Sequence, residues 1–282
     1  MRSQGQGAQH EGSLRITSGP IAGAISTVFN FVADTFTIAE LEARKLSHDP
    51  TEILTRAVQP ALWLLIFGEV LAQIRAIPSG QIPYIDFMTP GILAQSVLFI
   101  AIFFGIAVIW ERDLGILHKM LASPASRDAL VLGKALSASE RGLSQAVIIY
   151  ILALLIGVHI NWSVLAVAGV TLVVILGSAL FSTFSLIIAC LVRTRERFMG
   201  VGQLLTMPLF FASNAIYPIS IMPGWLQAVA RVNPLTYEVD ALRSLMVIGG
   251  GPVYGIGIDI AVLLASTALL VAIAAKLYPR VV

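Results

Sequence analysis

The sequence predicts an all-α, polytopic membrane protein with six transmembrane helices, and three observations predict it. Of 282 residues, 57% are hydrophobic and only 12% charged, where soluble domains carry about 25% charged residues. The apolar residues gather in long runs, several of them charge-free over the ~20 residues a helix needs to cross a bilayer. Lys and Arg are also distributed one-sidedly. With both termini cytoplasmic, fifteen lie inside and three (Arg75, Arg231 and Arg243) outside, a bias of the kind that orients membrane helices.

Met1–Gly19 is rich in Gly, Gln and Ser, lacks periodicity and is expected to be disordered. Ile21–Ala33 is apolar but short, is interrupted by Asn30 and precedes charged residues, so a signal peptide is not expected. Between Ile25 and Leu46 apolar residues step by three or four, and Glu40, Glu42, Arg44 and Lys45 crowd the end. That pattern predicts an amphipathic helix lying on the membrane surface. Asp49-Pro50-Thr51-Glu52 offers a cap, a proline for the first turn and a glutamate three residues after the cap, a helix start. The chain is expected to divide there, into a cytoplasmic tail with its interfacial helix (1–48) and a six-helix transmembrane domain (49–282).

The first span is placed at Ala57–Ile74, with Pro60 and Glu69 inside it, and the second at Ile92–Trp110, without charge. The third begins near Lys134 and runs to Val158. His159-Ile160-Asn161-Trp162 is a tight turn with an interfacial Trp. The fourth, Val164–Val192, would be about 43 Å long, more than a hydrocarbon core of about 30 Å, so it must tilt or protrude. The fifth is Phe198–Ile216, containing Pro208. The last is Ile256–Leu277, with Asp259 near its start. Cys190 sits in an apolar run, where a buried inert thiol is expected.

Two connections do not read as plain loops. Glu111–Lys134 is the most charged run in the chain. Leu114, Leu117 and Leu121 recur at helical spacing with Arg112, His118 and Lys119 on other faces, so Glu111–Ala122 is expected to be a short amphipathic helix. Ser123-Pro124 ends it and can cap a second helix. Such a helix pair can be gripped by a soluble partner; the alternative is a solvated loop whose basic residues only fix topology. Tyr217–Gly251, outside, is too apolar for a loop and is broken by Pro218, Pro223, Gly224 and Pro234. Short helices at Trp225–Val232 and Leu235–Val247 fit between the breaks, with Asn233-Pro234 separating them and Arg231 and Glu238 near the rim. A re-entrant hairpin suits this composition, since irregular backbone at membrane depth must be buried in protein. A surface-lying amphipathic pair is the alternative.

ERDLGILHKMLASPASRDALVLGK after the second span and YPISIMPGWLQAVARVNPLTYEVDALR before the last, in that order and three spans apart, together resemble the ABC-2 type permease family. These are membrane subunits of ATP-driven exporters. ARKLSHDP and QPALWLLIFG look like the start of the same family, so the likeness covers roughly Arg44–Leu277. Within it the sequence resembles the daunorubicin-resistance type of drug exporter and its nodulation-factor and polysaccharide-exporting relatives. The resemblance implies that Ile25–Leu46 is a connecting helix and that Glu111–Ala122 is the cytoplasmic coupling helix. On that helix Glu111, Arg112, Asp113, Gly115, Leu117 and Lys119 would meet the ATPase. It implies that Tyr217–Arg243 is an external re-entrant pair built on Tyr217, Pro218, Pro223, Gly224, Trp225, Asn233, Pro234, Tyr237 and Arg243. It also implies partners: a pair of ATP-binding cassette ATPase subunits and a second permease, identical or homologous, in a plasma or inner membrane.

The chemistry that such a chain would need to act alone is missing from the sequence. No phosphate-cradling GxxxxGK[ST] occurs, since Gly133-Lys134 is followed by Ala135. His10, His48, His118 and His159 are scattered without metal-ligand spacing, and no nucleophile motif appears, so neither cofactor nor metal is expected. The basic residues form no stripe for nucleic acid. Inside the spans, Glu69 either faces the bundle or reaches the outer interface. Ser178, Ser182 and Ser185 form one stripe with Thr171 on the fourth span, either a packing surface or a wall of the substrate path. Phe99, Phe103, Phe104, Phe210 and Phe211 suit a hydrophobic path or a packed core equally. The expected function is export of a hydrophobic drug or lipid-like molecule, alternatively of a polysaccharide or lipid-linked glycan. A proton-driven carrier would need several buried ionisable groups, and repeats that are not evident here.

Overall fold

The computed structural model describes residues 55, 58–74, 77–78, 80, 82–114, 127–192 and 194–277, with the main chain alone at 111–112 and 127–137. The expected tail, the Ile25–Leu46 helix and the Asp49-Pro50-Thr51-Glu52 start lie outside the described residues.

The described residues form helices: α1 (Val58–Ile74), α2 (Tyr84–Asp113), α3 (Arg127–Ile156), α4 (Val164–Leu191), α5 (Arg195–Phe211), α6 (Gly224–Val232), α7 (Pro234–Met246) and α8 (Ile256–Leu277). Four of them are long and apolar enough to cross a bilayer: α2 over Tyr84–Trp110, α3 over Ala138–Ile156, α4 and α8. The chain is thus an all-helical, multi-pass membrane protein. The shorter α1 and α5 stand where the first and fifth spans are expected. A π-helical stretch, Trp63–Gly68, interrupts α1, and Pro208 lies inside α5.

Local sequence sets the helix ends. The Ser163 hydroxyl accepts from Ala166 N at 3.2 Å and starts α4, and Thr194 does the same for α5 through Arg197 N. Asn233 caps α7 with Pro234 in the first turn, where proline has no amide to waste. Gly157, at φ 85°, reverses the chain after α3, a conformation a side chain would disfavour.

α4 is the hub, packed against α2, α3, α7 and α8. The core runs through Met88, Ile92, Leu93, Leu98 and Ile102 of α2, Phe181 of α4 and Phe210 of α5, all fully buried. Leu154, Leu155, Leu165, Leu204 and Leu269 point outward and stay exposed. α2 alternates direction with α1 and α3, so one end of the bundle carries Tyr84, the α3–α4 turn, α6 and α7. That is the capped end; Trp110, Asp113 and Arg195 mark the opposite one.

Three sequence expectations need correction. α2 begins at Tyr84, eight residues before Ile92, and continues through Pro90. It also runs on through Glu111–Asp113, so those residues end the second span's helix instead of opening a separate one. Cys190 is half-buried, not enclosed.

Candidate functional site

The capped end is built around α7. Thirteen residues give it about 20 Å of length, too short to span. Its Leu235, Val239, Leu242 and Met246 are fully buried and pack with α2, α4 and α8. Asn233, between α6 and α7, accepts from Leu235 N and donates Nδ2 to the carbonyls of Leu209 and Ala212 at 2.7 and 3.0 Å. Those carbonyls are freed where α5 ends, so one side chain caps one helix and terminates another.

Arg243 reaches across the interior. Its Nε donates to the Phe87 carbonyl at 3.1 Å and its Nη2 to the Asn214 carbonyl at 2.7 Å. The guanidinium also lies 3.8 Å from the Phe87 ring centroid, a desolvated cation–π contact. Burial lowers its pKa to about 10, with the charges of Asp240 and Tyr84 opposing that shift, so it stays cationic at neutral pH. Asp240 accepts from Val253 N and Tyr254 N at 2.8 and 2.9 Å and ties the following turn to α7. Tyr84 Oη donates to the Ile216 carbonyl.

The α3–α4 turn is laced to the same place. Asn161 N donates to the Met246 carbonyl and Ile248 N to that of His159. His159 Nδ1 lies 2.8 Å from the buried Asp86 carboxylate. Trp162 is exposed and meets Tyr150 edge-on.

Glu238 overturns the expectation that it sits at the rim. It is fully buried, and neither carboxylate oxygen has a partner among the described residues. Desolvation holds its pKa well above the ordinary carboxylate range. It occupies space that Gly177 of α4 vacates: a Cβ there would collide with the carboxylate. The spacing of α7 could not reveal this, because the permitting residue belongs to another helix.

The remaining predicted residues fall as follows. Tyr217 Oη donates to the Phe211 carbonyl and Tyr237 Oη to that of Arg231. Pro218 precedes a 3₁₀ turn, Ile219–Ile221, and Pro223 precedes α6, whose first residue is Gly224. Trp225 projects outward. Ser178, Ser182 and Ser185 are buried, at least two of them at glycine-mediated contacts. Gly105 of α2 donates its amide to Ser185, and Gly142 of α3 leaves room for Ser178. Ser178 and Ser185 thus lie at close helix–helix contacts. Glu69 is exposed on α1 and does not enter the core.

At the opposite end Arg195 donates to the Asp113 carboxylate at 3.0 Å and stacks on Trp110 with 3.5 Å to the ring centroid. This joins the end of α2 to the start of α5. Gly115, Leu117 and Lys119 lie outside the described residues, as do the side chains of Glu111 and Arg112. Gln95 and Gln145, both buried halfway along α2 and α3, belong to no motif in the sequence. An uncharged amide inside an apolar run was the available signal.

Known proteins supply the context. The model of the ABC-2 type transporter family matches residues 34–247, more than half of the chain. The chain is 28% identical over 223 residues to the transport permease ycf38 of Cyanophora paradoxa, covering 78% of this chain and 76% of that one. It is 25% identical over 236 residues to the daunorubicin resistance ABC transporter permease protein DrrB1 of Streptomyces coeruleorubidus, covering 80% and 83%. Nodulation protein J of Rhizobium meliloti is 26% identical over 213 residues, covering 75% and 79%.

Proposed function

Since the chain belongs to the ABC-2 type transporter family and is a membrane subunit of an ABC transporter, we propose that it exports a hydrophobic drug or lipid-like molecule from the cytoplasm. The observation that carries this reading is the family match over residues 34–247, with the similarity to DrrB1 favouring a drug-like cargo. The resemblance to nodulation-factor and polysaccharide exporters makes a lipid-linked glycan the second reading.

Two copies, or this chain and a homologue, pair with two ATPase subunits. ATP binding closes the ATPases, and their movement rocks the permeases between inward- and outward-open arrangements. The fifteen-to-three distribution of Lys and Arg supports a cytoplasmic position for both termini, Glu111–Lys134 and the Asp113–Arg195 pair. The capped end then faces outward, and α6–α7 form a re-entrant plug whose polar groups are satisfied within protein.

Reconstitution with the ATPase subunit in inside-out vesicles tests the reading. ATP-dependent uptake of daunorubicin, abolished when the ATPase cannot hydrolyse ATP, is the expected result. Uptake of a lipid-linked glycan alone would select the second reading, and uptake driven by a proton gradient without ATP would overturn both.

A further inference from the structure

Halfway along the bundle, α1, α2 and α3 line a half-open cavity of about 240 Å³. Its lining includes Gln59 and Pro60 of α1, Gln95, Phe99 and Phe103 of α2, and Gln145 of α3. Gln145 is 1% exposed and Gln95 3%. Neither polar atom of the Gln145 amide finds a hydrogen-bond partner among the described residues, and Gln95 Nε2 finds none either. Buried amides are normally satisfied, and one left without a partner carries a desolvation cost. Two of them, from neighbouring helices, line the same space.

The other walls define what would satisfy them. Phe99 and Phe103 stand side by side, with ring centroids 6.4 Å apart. Ser96 donates its hydroxyl to the Ile92 carbonyl, so its oxygen is left to accept. Among the described residues that line the cavity none is ionisable. A charged guest would be desolvated without a counter-charge, whereas a neutral guest with hydroxyl or carbonyl groups finds amide donors, amide acceptors and an aromatic wall. The volume is below the roughly 300 Å³ of the smallest drug-sized pockets, enough for one ring or sugar unit.

We infer that this cavity binds an uncharged ring of an amphiphile, a sugar or a quinone-like ring carrying hydroxyl or carbonyl groups on an apolar body. Gln95 and Gln145 hold its polar groups and Phe99 and Phe103 its face. This rests on the reading of the chain as an exporter subunit. It adds a specificity that Ser178 and Ser185, packed against glycines of the facing helices, do not supply.

The test uses the assembled complex in lipid nanodiscs and an octyl glucoside carrying a diazirine on its alkyl chain. Saturable photolabelling of peptides containing residues 95–103 and 145 is expected. Competition by excess unlabelled octyl glucoside alone assigns a glycoside cargo; competition by 1,4-dihydroxyanthraquinone as well assigns a site open to polyketide-like rings. Gln145→Leu and the nearly isosteric Gln145→Met should each weaken labelling about tenfold, the worth of one lost hydrogen bond. Both should keep or raise the melting temperature, since each removes an unsatisfied buried amide. Non-saturable labelling would mean a cavity holding water only and would overturn the site. So would variants that melt lower, because the amides would then be satisfied inside the assembly. Labelling that persists in a complex without ATP-driven uptake would sink the exporter reading and leave the site standing; uptake without labelling would do the reverse.

Discussion

Arg243, at the capped end, is 4% exposed and bonded to two carbonyls. Arg195 and Asp113, at the opposite end, pair at 3.0 Å with side chains 38% and 40% exposed. The two ends thus use charge differently. Within the capped end a buried cation and a capping asparagine tie α7 to α2 and to the end of α5, and Asp240 ties it to the turn that follows. An exposed pair contributes little to stability, about 0–1 kcal/mol, and its charged groups stay accessible. One end is held by buried polar contacts. The other presents charge at the surface, where a soluble partner could meet it.

The largest expected effect is at the capped end. Arg243→Ala leaves the carbonyls of Phe87 and Asn214 without their donor and removes the contact to the Phe87 ring. A loss of about 3–5 kcal/mol, in line with breaking a buried charged interaction, should show as low membrane abundance and a large fall in melting temperature in detergent. A variant as stable as the wild type would mean that the capped end is not held together this way.

Gly177→Ala comes next. Its methyl collides with the Glu238 carboxylate, and overpacking of this kind costs about 1–3 kcal/mol. Adding Glu238→Ala should restore much of the melting temperature, because it empties the contested space. Equal stability of the single and double variants would separate the two residues.

The smallest stability effect belongs to the opposite end. Arg195→Ala should lower stability by less than about 1 kcal/mol, with membrane abundance unchanged. A loss as large as that of Arg243→Ala would erase the contrast between the two ends.

Much of this architecture was legible in the sequence, for physical reasons that also explain the gaps. Charge-free runs marked α2 and α4, and Asn233-Pro234 marked the break between α6 and α7. The start of α2 was hidden because Asp86, Thr89 and Pro90 interrupt the apolar pattern. In the fold Asp86 pairs with His159 and Thr89 bonds the Ile85 carbonyl, so the helix continues through them. The burial of Glu238 was illegible, since it depends on a glycine sixty-one positions away in sequence. Hydropathy hid Gln95 and Gln145 because single uncharged amides scarcely lower the mean of an apolar window. The serine stripe was visible, but its contacts needed Gly105 and Gly142 on the facing helices.

We propose that the drive for transport arrives at the charged end through Glu111–Ala122. The most direct measurement is substrate-stimulated ATP hydrolysis by the reconstituted complex carrying Arg112→Glu or Gly115→Trp, with membrane abundance measured alongside. Reversing an interface charge that leaves its partner unpaired costs about 2–5 kcal/mol, enough to uncouple a transient contact. Normal abundance with stimulation reduced at least tenfold in both variants is the predicted result. Wild-type stimulation in both would contradict it.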